Sequence, residues 1–89
     1  ELCQLDEKDA AAFGRDMAKA SGAIYEAFHP DKINYAAYGD GYPHVHFHLV
    51  PKYKGGKSWS APFDLAEDPA GKLPAQELDT IIALLRSKL

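Results

Sequence analysis

Three histidines alternate with apolar residues in the run His44–Val50, and their types and spacing suit chemistry at a shared site. Alternation at period two predicts a β-strand, because successive side chains on a strand point to opposite faces. Three apolar side chains are then predicted to face a core: Val45, Phe47 and Leu49. The three imidazoles, those of His44, His46 and His48, are predicted to lie side by side on the other face.

Two kinds of chemistry fit such a row. Same-face neighbours on a strand lie about 6.6 Å apart, so two adjacent histidines can reach one metal ion more easily than all three. Zinc usually takes three or four protein ligands, and the only other histidine and the only cysteine are His29 and Cys3, which leaves a metal site incomplete. The other chemistry is nucleophilic catalysis by an imidazole that its neighbours orient. A solvent-exposed polar strand face is the non-functional interpretation.

The run His44–Lys52 resembles the signature of the histidine triad (HIT) superfamily, in which three histidines alternate with apolar residues, often before Pro-Arg. The segments Ile33–Tyr35 and Gly39–Gly41 resemble the stretch that leads into that signature. Downstream, Lys52–Gly56 and Trp59 resemble bacterial members related to dinucleoside polyphosphate hydrolases. The resemblance covers about residues 1–65 of the chain.

The resemblance implies a role for each histidine. His46, the middle one, is implied to attack the α-phosphorus of a nucleotide and to form a phosphohistidine intermediate. His44 and His48 are implied to orient it and to bind phosphate oxygens or the leaving group.

Four further residues are predicted to bind substrate: Asn34, Gly39, Asp40 and Gly41. The glycines permit close approach of backbone N–H groups to a phosphate. Asn34 resembles the asparagine of the family site, and a structural hydrogen bond at a strand end is its alternative role. Asp40 stands where many family members have Gln or Asn. Its charge is unfavourable beside phosphate, so Asp40 is expected to point away or to accept a hydrogen bond from ribose or water. Lys52 replaces the common Arg and is expected to add positive potential without a bidentate fork.

The implied function is hydrolysis or transfer at a phosphoanhydride or phosphoramidate, with a dinucleoside polyphosphate such as diadenosine tetraphosphate or another adenosine-type nucleotide as substrate. No cofactor and no catalytic metal are implied. Two alternatives stay open: a non-catalytic nucleotide-binding or protein-interaction module, and a metalloprotein that uses two adjacent histidines.

Length and composition set the frame for these hypotheses. Eighty-nine residues are expected to form a single domain, residues 1–89, which the resemblance makes the C-terminal part of a HIT domain without its N-terminal strands. The net charge of −3 gives no basic field for nucleic acid, and no apolar run has the length of a membrane span. One cysteine suits a reducing compartment, so a cytoplasmic protein is expected. The resemblance also implies a homodimer.

The predicted fold class is α+β, an antiparallel sheet with two flanking helices. A first helix is predicted to begin after Asp6 as N-cap and to end at His29-Pro30, with an apolar face of Phe13, Met17, Ala20, Ile24 and Phe28. His29 is expected to be a helix-end residue rather than a ligand.

The remaining elements follow along the chain. Strands over 33–38 and 44–50 are predicted to form a hairpin around the Gly39–Gly41 turn. A long connection over 51–72 carries Trp59 and Phe63, which either cover the site, contact a second subunit or anchor the loop. A second helix is predicted with Pro74 in its first turn. Its buried stripe is predicted to be Leu78, Ile81, Ile82, Leu85 and Leu89.

Overall fold

A computed structural model describes residues 1–65 and 71–89 of the chain. Within these residues the elements are a short 3₁₀ turn and two helices that flank a two-stranded antiparallel sheet. Their bounds are Leu2–Gln4 for the 3₁₀ turn, Glu7–Phe28 for α1, Lys32–Ala36 for β1, His48–Lys52 for β2 and Ala75–Lys88 for α2. The predicted α+β class is therefore confirmed.

Helix α1 begins and ends where local chemistry predicts. The Asp6 carboxylate accepts a hydrogen bond from the backbone N–H of Asp9 at 2.8 Å, which satisfies one of the free donors of the first turn. At the other end His29 adopts a left-handed conformation, with φ 48° and ψ 51°, and Pro30 follows. His29 is thus a helix-end residue, as predicted, and all five residues of the predicted apolar face are half-buried.

The two strands of the hairpin pair in a single register, but both strands are shorter than predicted. Ala36 pairs with His48, Asn34 with Val50 and Lys32 with Lys52. The predicted strand over 44–50 is wrong at its beginning, because β2 starts at His48, and the predicted strand over 33–38 ends at Ala36 instead. Ladder hydrogen bonds need two neighbouring chains about 5 Å apart, and no pairing continues beyond Ala36 and His48.

The turn predicted at Gly39–Gly41 is part of a longer connection. The whole segment 37–47 connects the two strands, with bends at Asp40, Gly41 and His44 and no ladder pairing. The alternating residues 44–47 therefore lie outside the sheet.

Helix α1 packs against β2 of the hairpin. Phe47 lies against Phe13 of α1, with ring centroids 5.7 Å apart, and α2 packs on α1. The predicted core residues Val45, Phe47 and Leu49 are half-buried rather than fully buried. Because directly opposed residues of an antiparallel pair share a face, Asn34 and Ala36 lie on the same face as His48. That face is opposite the one that carries Leu49.

The predicted buried stripe of α2 is largely exposed. Leu78 is 45% exposed and Ile82 is 44% exposed, whereas Ile81 and Leu85 are half-buried. Pro74 is the N-cap residue rather than part of the first turn. Within the described ranges α2 packs mainly on α1, so one side of the stripe has a neighbour and the other faces solvent. In this part of the chain no helix is long and apolar enough to cross a bilayer.

The connection after β2 begins at Tyr53 rather than at residue 51. The phenol of Tyr53 donates to the Phe28 carbonyl at 2.8 Å, and the Lys54 N–H donates to the Asp31 carboxylate at 2.8 Å. These bonds fasten the end of β2 to the end of α1. The predicted loop also includes residues 66–70, which lie outside the described residues.

Candidate functional site

The three predicted histidines lie next to one another although only His48 belongs to the sheet. The ring centroids of His44 and His46 are 5.1 Å apart, and those of His46 and His48 are 5.3 Å apart. His44 is exposed, whereas His46 and His48 are half-buried. The imidazoles thus form a row that begins in the segment 44–47 and continues into β2.

The hydrogen bond of His46 indicates which of its ring nitrogens is free. Its Nδ1 lies 3.1 Å from the carbonyl oxygen of His44. A carbonyl oxygen only accepts, so this contact is a hydrogen bond when Nδ1 carries the proton. In the neutral ring the lone pair then resides on Nε2, and the bond to the backbone fixes the ring orientation. In the tautomer that donates to this carbonyl, the middle histidine has Nε2 available for chemistry.

Aromatic side chains border the row at both ends. Tyr42 lies against His44, with ring centroids 5.7 Å apart. At the other end His48 contacts two rings, that of Tyr38 at 5.9 Å and that of Phe63 at 5.5 Å. Phe63 therefore lies at the site, which is one of the placements predicted for it. Trp59 lies elsewhere, with the Lys32 Nζ atom 4.0 Å from the centroid of its ring.

A cavity of about 190 Å³ opens beside the first two histidines. Its wall includes Leu2, Tyr38, Gly39, Tyr42, His44 and His46. The lining is mostly apolar, with imidazoles at one side, which is the usual composition of a small-molecule site.

The structure brings together only part of the predicted substrate-binding set. Gly39 lines the cavity, and Asn34 lies on the same sheet face as His48, one same-face position farther along β1. Asp40 and Gly41 are exposed and are not part of the cavity wall. Neither Gly39 nor Gly41 has a positive φ angle, so their backbone conformation does not require glycine.

The ammonium group of Lys52, which was expected to add positive potential at the site, instead contacts the loop after β2. Lys52 is 3% exposed, and its ammonium group donates hydrogen bonds to the backbone carbonyls of Ser58 and Ala61. Burial lowers the pKa of Lys52, and the nearby Lys32 charge adds to this effect. The ammonium therefore anchors the loop after β2, because its donors are turned toward loop carbonyls rather than toward a phosphate site.

Metal ligation has little support in this arrangement. Over residues 1–65 and 71–89, no group of three or more His, Cys, Asp or Glu side chains is placed to hold a metal ion.

Sequence reasoning missed Tyr38 and Tyr42 as neighbours of the histidines. A signal for Tyr38 was present, because alternation from Asn34 through Ala36 places residue 38 on the same face as the triad. Tyr42 has no such signal, since it lies in the irregular connection, where no period fixes side-chain direction.

Solved structures of histidine triad proteins are similar to this chain. A histidine triad protein from Bradyrhizobium japonicum is 31% identical, with 99% of this chain and 65% of that chain covered and a TM-score of 0.87. Histidine triad proteins from Sinorhizobium meliloti 1021 and Marinobacter aquaeolei VT8 are both 24% identical, cover all of this chain and have TM-scores of 0.90 and 0.80. At that identity these two show the fold alone.

The chain spans 65% of the length of the first two structures and 67% of the third. No family model and no curated protein matches it. The shared fold, the 31% identity to the Bradyrhizobium japonicum protein and the aligned row of His44, His46 and His48 lead to one conclusion: the chain belongs to the histidine triad superfamily.

Proposed function

We propose that this protein is a nucleotide hydrolase or transferase that acts through a covalent intermediate on His46. The observation that carries the proposal is the bond from His46 Nδ1 to the His44 carbonyl, because it leaves Nε2 as the nucleophilic atom within a row of three imidazoles. The cavity lies beside two of these imidazoles, and we propose an adenosine-type nucleotide as substrate.

The proposed reaction has two balanced steps. In the first, the Nε2 lone pair of His46 forms a bond to the α-phosphorus while the bond from phosphorus to the leaving group breaks. The leaving group departs with the bonding electrons and takes a proton from a neighbouring imidazole, which we assign to His48. In the second, water attacks the phosphorus, the P–N bond breaks, its electrons return to Nε2, and the proton of the water replaces the one lost by His48.

The neighbours of His46 contribute by position and charge. Both flanking rings lie within about 5 Å of its ring, so they can donate hydrogen bonds to phosphate oxygens as negative charge shifts during the displacement. Asn34 and Gly39 are proposed as substrate contacts on the sheet face and in the cavity wall. Asp40 and Gly41 are proposed as further substrate contacts, and both are exposed residues that follow Gly39 in the same connection.

The test is trapping of the intermediate. After brief mixing with adenosine phosphoramidate and an acid quench, we expect intact-mass spectrometry to show an added adenylyl group on the parent chain and none on His46→Ala. Steady-state hydrolysis by His46→Ala should fall by at least about 10³-fold, as for other nucleophile deletions.

The control is His29→Ala, which removes an exposed histidine at a helix end and should retain the adduct. An adduct on His46→Ala would contradict the assignment of the nucleophile. Nucleotide binding by the parent chain without any adduct or turnover would favour a non-catalytic binding module.

A further inference from the structure

We infer that Lys52 is a positioning residue for His48: it holds the loop after β2 in the conformation that places the Phe63 ring against the last imidazole of the row. The catalytic consequence of this inference rests on the proposed function, in which His48 gives a proton to the leaving group. The structural part, a buried ammonium that fixes an imidazole through a loop, can be tested without any turnover.

Lys52 and His48 are the last and the first residue of β2. They are four residues apart on one strand, and side chains at even spacing on a strand point to the same face. At about 3.3 Å per residue, their Cα atoms lie about 13 Å apart. An effect of Lys52 on His48 therefore needs an element that connects the two ends of the strand.

The loop after β2 is that connecting element. The chain reverses just after the strand, where the Gly56 N–H donates to the Tyr53 carbonyl at 2.8 Å. Farther along, the ring centroid of Phe63 lies 5.5 Å from that of His48. The loop thus leaves the strand at Lys52 and contacts it again at His48, on the face that carries both side chains.

The ammonium group of Lys52 holds a turn in the middle of this loop. It is buried and donates hydrogen bonds to the carbonyls of Ser58 and Ala61. The Ser58 carbonyl also accepts the Ala61 N–H at 3.2 Å, which closes the turn. Ser58 has a φ angle of 57°, a left-handed conformation that is uncommon for residues other than glycine and persists where surrounding contacts fix it. The conformation of the turn therefore depends on the ammonium group beneath it.

Phe63 transmits the position of this turn to the histidine row. Two residues of extended chain span at most about 7 Å, so the Ala61 carbonyl that Lys52 holds restricts where the Phe63 ring can lie. That ring lies against the His48 imidazole at an interplanar angle of 53°. Contacts between rings favour particular relative orientations. A loop released from Lys52 would therefore leave the His48 ring without the contact that orients it.

The same turn has a second contact with the sheet, through Trp59. Lys32 pairs with Lys52 across the two strands, and like charges that are directly opposed repel each other. The Lys32 Nζ atom lies 4.0 Å from the centroid of the Trp59 ring, the arrangement of a cation–π interaction, which offsets part of that repulsion. Trp59 lies between Ser58 and Ala61 and is the only tryptophan of the chain, so its fluorescence reports whether the turn is held.

The first test is spectroscopic and needs no turnover. In Lys52→Met, the imidazole nitrogen signals of His48 in long-range proton–nitrogen NMR spectra should shift from those of the parent, whereas those of His44 should not. Trp59 emission should move to longer wavelength as the turn opens to water. Lys52→Arg retains donors for both carbonyls and should keep the parent spectra, as should Lys54→Met, which removes an exposed charge from the same loop. Unchanged His48 signals in folded Lys52→Met would overturn the inference.

A double variant tests whether the effect passes through Phe63. Phe63→Leu alone should shift the His48 signals and leave Trp59 emission as in the parent, because the Lys52 anchor is intact. Lys52→Met should then add little in the Phe63→Leu background, since residues that act along one path are not additive. Additive shifts would overturn transmission through Phe63. Circular dichroism checks folding, and Lys52→Gln, whose shorter side chain withdraws its donors, takes the place of Lys52→Met if the latter unfolds.

The kinetic test separates proton donation by His48 from general damage to the site. The alkylamine of an adenosine phosphoramidate needs a proton to depart, whereas para-nitrophenolate departs from the para-nitrophenyl ester of AMP without one. Lys52→Met should therefore lower kcat/KM for the phosphoramidate about tenfold, part of the contribution of a positioned general acid, and change kcat/KM for the ester by less than about twofold. Lys52→Arg should restore both values. Equal losses for the two compounds would show a merely structural role and overturn the inference.

The two tests also separate this inference from the proposed function. A parent chain that hydrolyses neither compound would contradict the catalytic proposal, and the NMR spectra would then decide the positioning role by themselves. Shifted His48 signals in Lys52→Met that Lys52→Arg restores would support the role, and unchanged signals would overturn it.

Discussion

At the scale of single residues, Lys52 shows how a charge near a site can serve structure. Its ammonium group is enclosed beneath the loop that it anchors, and its donors are directed to the carbonyls of Ser58 and Ala61. Buried polar groups are stable only when they are hydrogen-bonded, so the charge and the loop depend on each other. A loop conformation that moved either carbonyl out of reach would leave one hydrogen-bond donor of the buried ammonium without its acceptor.

The lowered pKa of Lys52 predicts a pH dependence of stability. Between the lowered pKa of the folded chain and the ordinary value of 10.5, the unfolded chain binds more protons than the folded chain. The free energy of unfolding of the parent should therefore rise with pH through this window, relative to that of Lys52→Met. Below the window the full cost of burying the charge is present. Urea denaturation of both chains at pH 7 and pH 10.5 measures the change.

The control for this measurement is Lys54→Met, since the side chain of Lys54 is exposed. The difference in the free energy of unfolding between the parent and Lys54→Met should not show the change with pH that is expected for Lys52→Met. A parent that loses stability relative to Lys52→Met on going from pH 7 to pH 10.5 would contradict the prediction.

At the scale of elements, the cap of α1 contributes measurably to stability. Asp6→Ala removes the acceptor for the Asp9 N–H and should lower the free energy of unfolding by about 1 kcal/mol. Asp6→Ser keeps an N-cap acceptor and should lose much less. Chemical denaturation monitored by circular dichroism gives both values, and equal losses in the two variants would argue against the cap as the cause.

Elements defined by nearby residues were predictable from the sequence, whereas those defined by distant partners were not. Asp6 and Pro30 act on their own turn of chain, so the bounds of α1 followed from local chemistry. The first residue of β2 depends instead on where β1 stops pairing, and alternation in 44–47 gives no information about that partner. The same holds for Lys52, whose acceptors are set by the path of a loop.

The part of the candidate site that depends on the alternation of side chains along one strand was predictable from the sequence. Alternation brought the three imidazoles into one row, and the hairpin register brought Asn34 to the same face. Asp40 and Gly41 were predicted near phosphate from a turn at Gly39–Gly41, whereas the connection between the strands spans 37–47 and leaves both residues exposed. The functional roles of all these residues stay predictions until the mutants are measured.

At the scale of the whole molecule, apolar side chains of α2 are available for a partner. Leu78 and Ile82 are four residues apart, so they lie on one side of the helix, and both are nearly half exposed. Exposed contiguous apolar surface commonly marks a contact with another chain.

We therefore predict a homodimer in solution that uses this side of α2. Light scattering should give about twice the 9.8 kDa mass of the chain, and Ile82→Lys should shift the protein toward the monomer because it would bury a charge in the contact. Glu77→Lys, a change beside this surface, is the control for charge alone. A monomeric mass for the parent, or a dimer unaffected by Ile82→Lys, would contradict this prediction.

The boundary between paired and unpaired backbone falls inside the histidine row. His48 belongs to a ladder whose far end is fastened to α1, whereas His44 and His46 lie on a segment without cross-strand bonds. Backbone that lacks such bonds opens at a smaller free-energy cost than a ladder does. His48 therefore lies on paired backbone, whereas His46, which we propose as the nucleophile, lies on backbone that can shift at a smaller free-energy cost.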